Sequence, residues 1–282
     1  MKPEHFIESP FGVRSPLIIY GTAWKKAQTQ TLVATAIAQG FRGIDTACQP
    51  KHYNEPGVGA GVAASLHKAL KRADLYLQSK FTPPSGQDPS NIPYDANQPL
   101  ALQVRESFQV SLNNLQSDYL DCLVLHSPLR SLERTLEVWQ TMESLFDYGR
   151  ARQLGISNCY DVRELEALHQ SARVKPAVVQ NRFYAETGYD TEIREFCRRH
   201  EIIYQSFWTL SANPQLLSHR AIKDLAASYA RTPAQILFRF LTQSGVVPLT
   251  GTKSETHMRE DLSIFEFELT QAERHSIQLL LK

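Results

Sequence analysis

The chain has 282 residues, 42% of them hydrophobic, with Lys+Arg 30 set against Asp+Glu 29. That length allows a substantial core and suits one α/β barrel of roughly 250 residues. The even charge offers no basic face to nucleic acid or an anionic membrane, and no run reaches the roughly 18 apolar residues of a spanning helix. Residues 5–15, with Pro10 and Gly12, are expected to form a hairpin that plugs the bottom of the fold. Short apolar runs then recur about every 30 residues, the spacing of a βαβ unit. They cover 17–23, 41–47, 75–81, 119–127, 151–158, 177–183, 202–207 and 246–252. Each is nearly continuous in hydrophobicity, as strands buried on both faces of a parallel sheet are.

The stretches between them read as helices. Gly40 stands where a helix should end. Val104, Phe108, Ser111, Leu112 and Leu115 make one stripe, and Leu132, Leu136, Trp139, Met142 and Phe146 another. Asp161 with Glu164, and Thr270 with Glu273, predict reciprocal N-caps. The polar, Pro-rich segment 82–97 is either a substrate lid or a surface insertion. The pattern predicts an α/β fold, a (β/α)8 TIM barrel forming a single domain over 1–282, with an N-terminal β-hairpin and extra helices. An open doubly wound sheet would carry a glycine-rich phosphate loop, and no G-x-G-x-x-G occurs.

In such a barrel the active site lies where strands end. The polar groups there are Asp45, Lys80, His126, Ser157 with Asn158, Gln180, and Lys253 with Ser254; Phe207 and Trp208 end the seventh run. The runs Gly43-Ile44-Asp45-Thr46-Ala47, Tyr53-Asn54-Glu55, Val58-Gly59, Ser79-Lys80, Leu125-His126-Ser127, Gly155-Ile156-Ser157-Asn158 and Val179-Gln180-Asn181 follow in order. In this set the chain resembles the aldo-keto reductases from Gly21-Thr22 to Phe267. The resemblance implies a catalytic tetrad of Asp45, Tyr53, Lys80 and His126. A nearby ammonium favours phenolate, so Lys80, held by Asp45, is expected to lower the pKa of Tyr53 from its ordinary value near 10. His126 would orient the carbonyl oxygen. The family usually places its tyrosine five residues after the aspartate, whereas here Tyr53 follows Asp45 by eight, an insertion within Cys48-Gln49-Pro50-Lys51-His52.

The resemblance also implies an extended nicotinamide cofactor across the barrel top. Gly21, Thr22 and Asp45 would border it, and Ser157, Asn158 and Gln180 would bind its carboxamide. Phe207 stands where the family has a tyrosine stacking on the nicotinamide ring, and Trp208 and Leu210 would follow along the cofactor. Lys253 and Ser254 at a helix start suit the 2′-phosphate of NADP, so NADP(H) is expected in preference to NADH. Glu260 and Asp261 align with adenine contacts, leaving either His257 or Arg259 at the family's arginine. Family members with a long C-terminal loop close their pocket with it, while this sequence stops at Lys282. Specificity is therefore expected from Trp24, the 82–97 loop and Trp208, beside Tyr53 and His126, with an aldehyde or ketone as substrate.

Cys48, Cys122, Cys159 and Cys197 are widely spaced without C-x-x-C, and the polar first ten residues lack a signal-type apolar core. A cytoplasmic monomer or weak dimer, with no metal, nucleic-acid or membrane partner, is the expectation. An NADP(H)-binding redox sensor is the alternative function. A metal-dependent barrel hydrolase is disfavoured because the first run ends Tyr20-Gly21-Thr22-Ala23 rather than in H-x-H.

Overall fold

In the computed structural model, which describes Lys2 and residues 5–281, the chain opens with the expected hairpin. Strand β1 (Phe6–Glu8) pairs antiparallel with β2 (Arg14–Pro16), Ile7 standing opposite Ser15. Eight parallel strands then close into a barrel: β3 (Ile19–Gly21), β4 (Gly43–Asp45), β5 (Tyr76–Phe81), β6 (Cys122–Leu125), β7 (Leu154–Ser157), β8 (Val178–Arg182), β9 (Ile203–Phe207) and β10 (Val246–Thr250), with β10 returning to β3. Each lies inside a run expected from hydrophobicity alone.

Helices cover the outside: α1 (Thr29–Gln39), α2 (Glu55–Ser65), α3 (Leu100–Leu115), α4 (Leu132–Asp147), α5 (Val162–Ser171), α6 (Thr191–Arg199), α7 (Pro214–Ser218), α8 (Arg220–Ser228), α9 (Pro233–Gln243), α10 (Glu255–Leu262) and α11 (Gln271–Gln278). The last strand leads through residues 251–254 into α10, which Ser254 caps. Helix α1 ends at Gly40 with φ 119°, a left-handed turn that glycine adopts without strain. The pair Thr270 and Glu273 forms the full reciprocal cap on α11. Asp161 caps α5 through the Arg163 N–H at 2.9 Å, but it pairs with the Arg163 side chain instead of Glu164.

Most apolar side chains fill the layer between barrel and helices, where Trp139, Phe183, Phe238 and Phe240 are fully buried. A second cluster closes the barrel floor, with Val13, Ile7, Phe11 and Leu17 packed onto Ile19, Tyr76, Cys122 and Val178. The hairpin is therefore a plug, and the open end of the barrel is the opposite one. Among the described residues no helix is long and apolar enough to cross a membrane.

Candidate active site

The carboxyl ends of the strands open onto one cavity of about 940 Å³. Asp45 ends β4, and Lys80 lies near the end of β5 with its side chain buried. The Lys80 ammonium donates to both Asp45 carboxylate oxygens at 2.6 and 2.7 Å and to the Thr46 carbonyl at 2.8 Å. Its three N–H donors are thus all used. Asp45 Oδ1 also accepts from the side-chain amides of Gln78 at 2.7 Å and Gln180 at 2.9 Å. Both glutamines donate in turn to Gln205 Oε1 at 2.9 Å. Buried charges persist only when paired and hydrogen-bonded in this way.

Tyr53 and His126 stand over this pair. Their ring centroids are 6.1 Å apart, nearly edge-on, and the Lys80 Nζ is 5.3 Å from the centre of the Tyr53 ring. All four expected tetrad residues therefore meet at one rim. The expected electrostatics of Tyr53 do not hold. Burial, and then the Asp45 charge, push its phenol well above the ordinary tyrosine value. The physical reason is that Asp45 already answers the Lys80 charge, so little of it is left to favour phenolate. Burial, then the charges of Lys80 and His52, hold the His126 imidazolium well below the ordinary histidine range. The ring is neutral at physiological pH, with Thr82 Oγ1 2.6 Å from its Nδ1.

The insertion between Asp45 and Tyr53 forms a tight turn. The Tyr53 and His52 N–H groups both donate to the Gln49 carbonyl, at 3.0 and 3.1 Å. Gln49 Nε2 donates to Gly86 O at 2.6 Å, and Gln87 Nε2 donates to Cys48 O at 2.9 Å. The extra residues are thus sewn to the 82–97 segment, which is itself packed through buried Gln87 and Tyr94. His52 stacks on Trp24 with centroids 4.1 Å apart. Trp24 and Trp208, 51% and 49% exposed, form an open rim. Cys48 and Cys159 are buried thiols, pushed up by burial, Cys159 to about 12.

The expected cofactor residues divide. Gly21, Asp45, Ser157, Asn158, Gln180, Phe207, Trp208, Leu210, Lys253, His257, Glu260 and Asp261 all line the cavity. Thr22, Ser254 and Arg259 are not among its lining residues. Thr22 is buried and donates to Asp45 O at 2.8 Å, Ser254 accepts the His257 N–H as the cap of α10, and Arg259 turns outward to pair with Glu255 at 3.2 Å. Between the two possible alignments of this segment, His257 is the side chain at the cavity. Ser157 donates to Gln180 O at 2.6 Å, and Asn158 Nδ2 donates to His126 O at 2.8 Å. Asn213 ties down the loop after Phe207 by donating to Phe183 O at 2.7 Å and Thr209 O at 2.9 Å. Thr250 donates to Asp261, whose carboxyl burial pushes up to about 6.

Among the cavity-lining residues that the sequence did not single out are Lys25, Thr82 and Arg182. Thr82 stands two residues beyond Lys80, and Arg182 two beyond Gln180. The period-2 alternation of strand side chains was the available signal. Lys25 donates to the Gly251 carbonyl; burial and the charge of Lys253 lower its pKa to about 8. Glu55, read in the sequence only as part of the Tyr53-Asn54-Glu55 motif, lies buried behind the site, accepting from Ser79 and from Ser111 at 2.9 Å. Among the described residues no group of three or more His, Cys, Asp or Glu is placed to hold a metal ion.

A profile of the Aldo/keto reductase family matches residues 17–282. The chain belongs to the aldo/keto reductase family. It is 32% identical over 249 residues to the uncharacterized oxidoreductase YtbE of Bacillus subtilis, covering 88% of this chain and 82% of that protein. To the glyoxal reductase of the same organism it is 31% identical, covering 89% and 82%. An aldo/keto reductase from Brucella melitensis superimposes with a TM-score of 0.83 at 25% identity, over 98% of each chain. Aldo/keto reductases generally use nicotinamide cofactors. The fold explains several residues of the aldo/keto reductase signature as scaffolding. Asn54 accepts the Gly57 N–H at 3.0 Å as the cap of α2, and Glu55 anchors that helix to Ser79 and Ser111.

Proposed function

We propose that this aldo/keto reductase reduces aldehydes and ketones to alcohols with NADPH, Tyr53 giving the proton. The observation that carries the reading is the saturated Lys80–Asp45 pair directly beneath Tyr53 and the neutral His126, in the wall of one cavity. When bound, the reduced nicotinamide supplies a hydride to the carbonyl carbon. The Tyr53 hydroxyl gives its proton to the carbonyl oxygen and afterwards regains one from water. A phenol held protonated is always in the form that a reduction requires, and a placed acid of this kind is worth roughly 10²–10⁴-fold. Only the part of the Lys80 charge that Asp45 leaves unanswered acts on the phenolate formed at the moment of transfer. In the tautomer that this role requires, Thr82 donates to Nδ1 and the neutral imidazole of His126 carries its proton on Nε2, which it donates to the carbonyl oxygen.

The cavity suits the cofactor. Gln180 Nε2 is committed to Asp45 and Gln205 while its Oε1 accepts from no described protein group, leaving an acceptor for the carboxamide. Lys25 and Lys253 face each other without a described carboxylate partner, which suits the phosphates of NADPH better than the free ribose hydroxyl of NADH. Phe207 offers its ring face for stacking. Replacing Tyr53 by Phe tests the reading: aldehyde-dependent NADPH consumption should fall by about 10²-fold or more while cofactor affinity, read by fluorescence titration, stays unchanged. Retained turnover would remove Tyr53 from the role.

A further inference from the structure

Arg182 ends β8, two residues beyond Gln180 and in register with Phe207 of β9. Its guanidinium lies over the Trp208 ring, 4.0 Å from the centroid, and 5.1 Å from the centre of the Tyr184 ring. Trp208 holds this position with φ 57°, a left-handed conformation rarely taken by a bulky residue and maintained only where surroundings enforce it. The Arg182 side chain makes no hydrogen bond and no ion pair with any described residue, and its buried Nε has no partner at all. A guanidinium fixed against an aromatic face and lining a cavity, with its charge unanswered, is an incomplete ion pair. The charged pair toward the barrel axis is already matched, Lys80 by Asp45 and the Thr46 carbonyl, and Asp45 further by the amides of Gln78 and Gln180. The cavity's lysines, Lys25 and Lys253, follow β3 and β10, three and two strands round the barrel from β8, where the cofactor phosphates are expected.

Building on the carbonyl-reductase reading above, we propose that Arg182 is the receptor for a carboxylate on the substrate, so that the preferred substrates are aldehydes or ketones carrying an acid group. A planar fork stacked on an indole keeps its edge N–H donors for a planar carboxylate, which it meets with two parallel hydrogen bonds. The ligand would be oriented at two points, with its carbonyl at Tyr53 and His126 and its acid at Arg182, so a one-carbon change in their separation should matter.

The test compares 4-carboxybenzaldehyde and 3-carboxybenzaldehyde with the neutral methyl ester of the former, in the wild type and in Arg182→Met. Met keeps a flexible apolar side chain against Trp208 without the charge. The wild type should favour a carboxylate substrate over the ester by about tenfold or more in kcat/KM. Arg182→Met should lose that preference through KM, keep ester turnover within about twofold, and leave the NADPH Kd unchanged by fluorescence titration. Equal losses on acid and ester, no loss on either, or a weakened NADPH Kd, which would assign Arg182 to the cofactor pyrophosphate, would each overturn the inference. If neither protein turns over any of the aldehydes, the reductase reading fails as well; ester turnover without an acid preference sinks this inference alone.

Discussion

Two side chains at the cavity edge set the protonation of the groups that would meet substrate and cofactor. Thr82 is the hydroxyl neighbour of the His126 ring, and a neutral imidazole presents a donor to the cavity only if its other nitrogen is occupied as an acceptor. Replacing Thr82 with Val, which removes the hydroxyl at similar volume, should lower kcat by about fivefold, from a lost hydrogen bond worth about 1 kcal/mol. Nitrogen NMR shifts of His126 should show mixed tautomers in that variant and one in the wild type. Unchanged kcat with a single tautomer would show that Thr82 only packs. Lys25 bears on the cofactor. With a pKa of about 8 against its ordinary 10.5, it is charged below pH 8 and neutral above. An anionic cofactor prefers the charged form, so its binding raises that pKa and its affinity should fall as pH rises through about 8. The same shift means that the unfolded chain holds more protons than the folded one between those values, so the free protein gains stability as pH rises there. NADPH Kd measured from pH 6.5 to 9.5 should show the fall, and Lys25→Met should abolish the pH step. Because Tyr53 is pushed up and His126 down, kcat at saturating cofactor should stay flat over that range. Neither Thr82 nor Lys25 was singled out from the sequence. Thr82 shares the period-2 spacing of Lys80, whereas Lys25, in a polar loop, carries no spacing that separates it from solvated neighbours.

The elements that carry the site are held by close approaches as much as by apolar stripes. Helix α2 is wedged between α1 and α3, and a Cβ on Gly59 would sit 2.0 Å from the Asn114 carbonyl oxygen. Gly59→Ala must therefore push α2 and α3 apart, at a cost of about 1–3 kcal/mol, and tilt the helix start that follows Tyr53. Thermal unfolding should register a lowered Tm with lowered activity; an unchanged Tm would mean that the helices separate freely. The glycine was visible as part of a family motif, yet its reason, a neighbouring helix backbone, belongs to tertiary structure. The same holds for Asp161, whose cap was legible while its partner was not, since the carboxylate is taken by the Arg163 N–H and guanidinium and no reciprocal bond to Glu164 forms. The 82–97 segment was open to two readings; Gln87 and Tyr94 pin it through hydrogen bonds to Cys48 and Thr82 that no local pattern announces, while Ser85, Pro89, Ser90 and Asn91 stay exposed.

Across the molecule, the barrel was readable because doubly buried parallel strands leave continuous apolar runs whose polar ends mark one rim. Asp45, Lys80 and His126 could be found that way, and Tyr53 needed the family pattern to survive its three-residue displacement. What could not be read is the charge balance of the finished site. It depends on how completely Asp45 answers Lys80 and on how deeply the phenol is buried, and it reversed the expected shift of the Tyr53 phenol. The account rests on that rim acting on a carbonyl with a nicotinamide beside it, and the most direct measurement is NADPH oxidation at neutral pH by the wild-type protein over a panel of aldehydes and ketones. The account predicts saturable, carbonyl-dependent oxidation with one alcohol formed per NADPH consumed; tight NADPH binding with no turnover on any member of the panel would contradict it and favour a redox-sensing role.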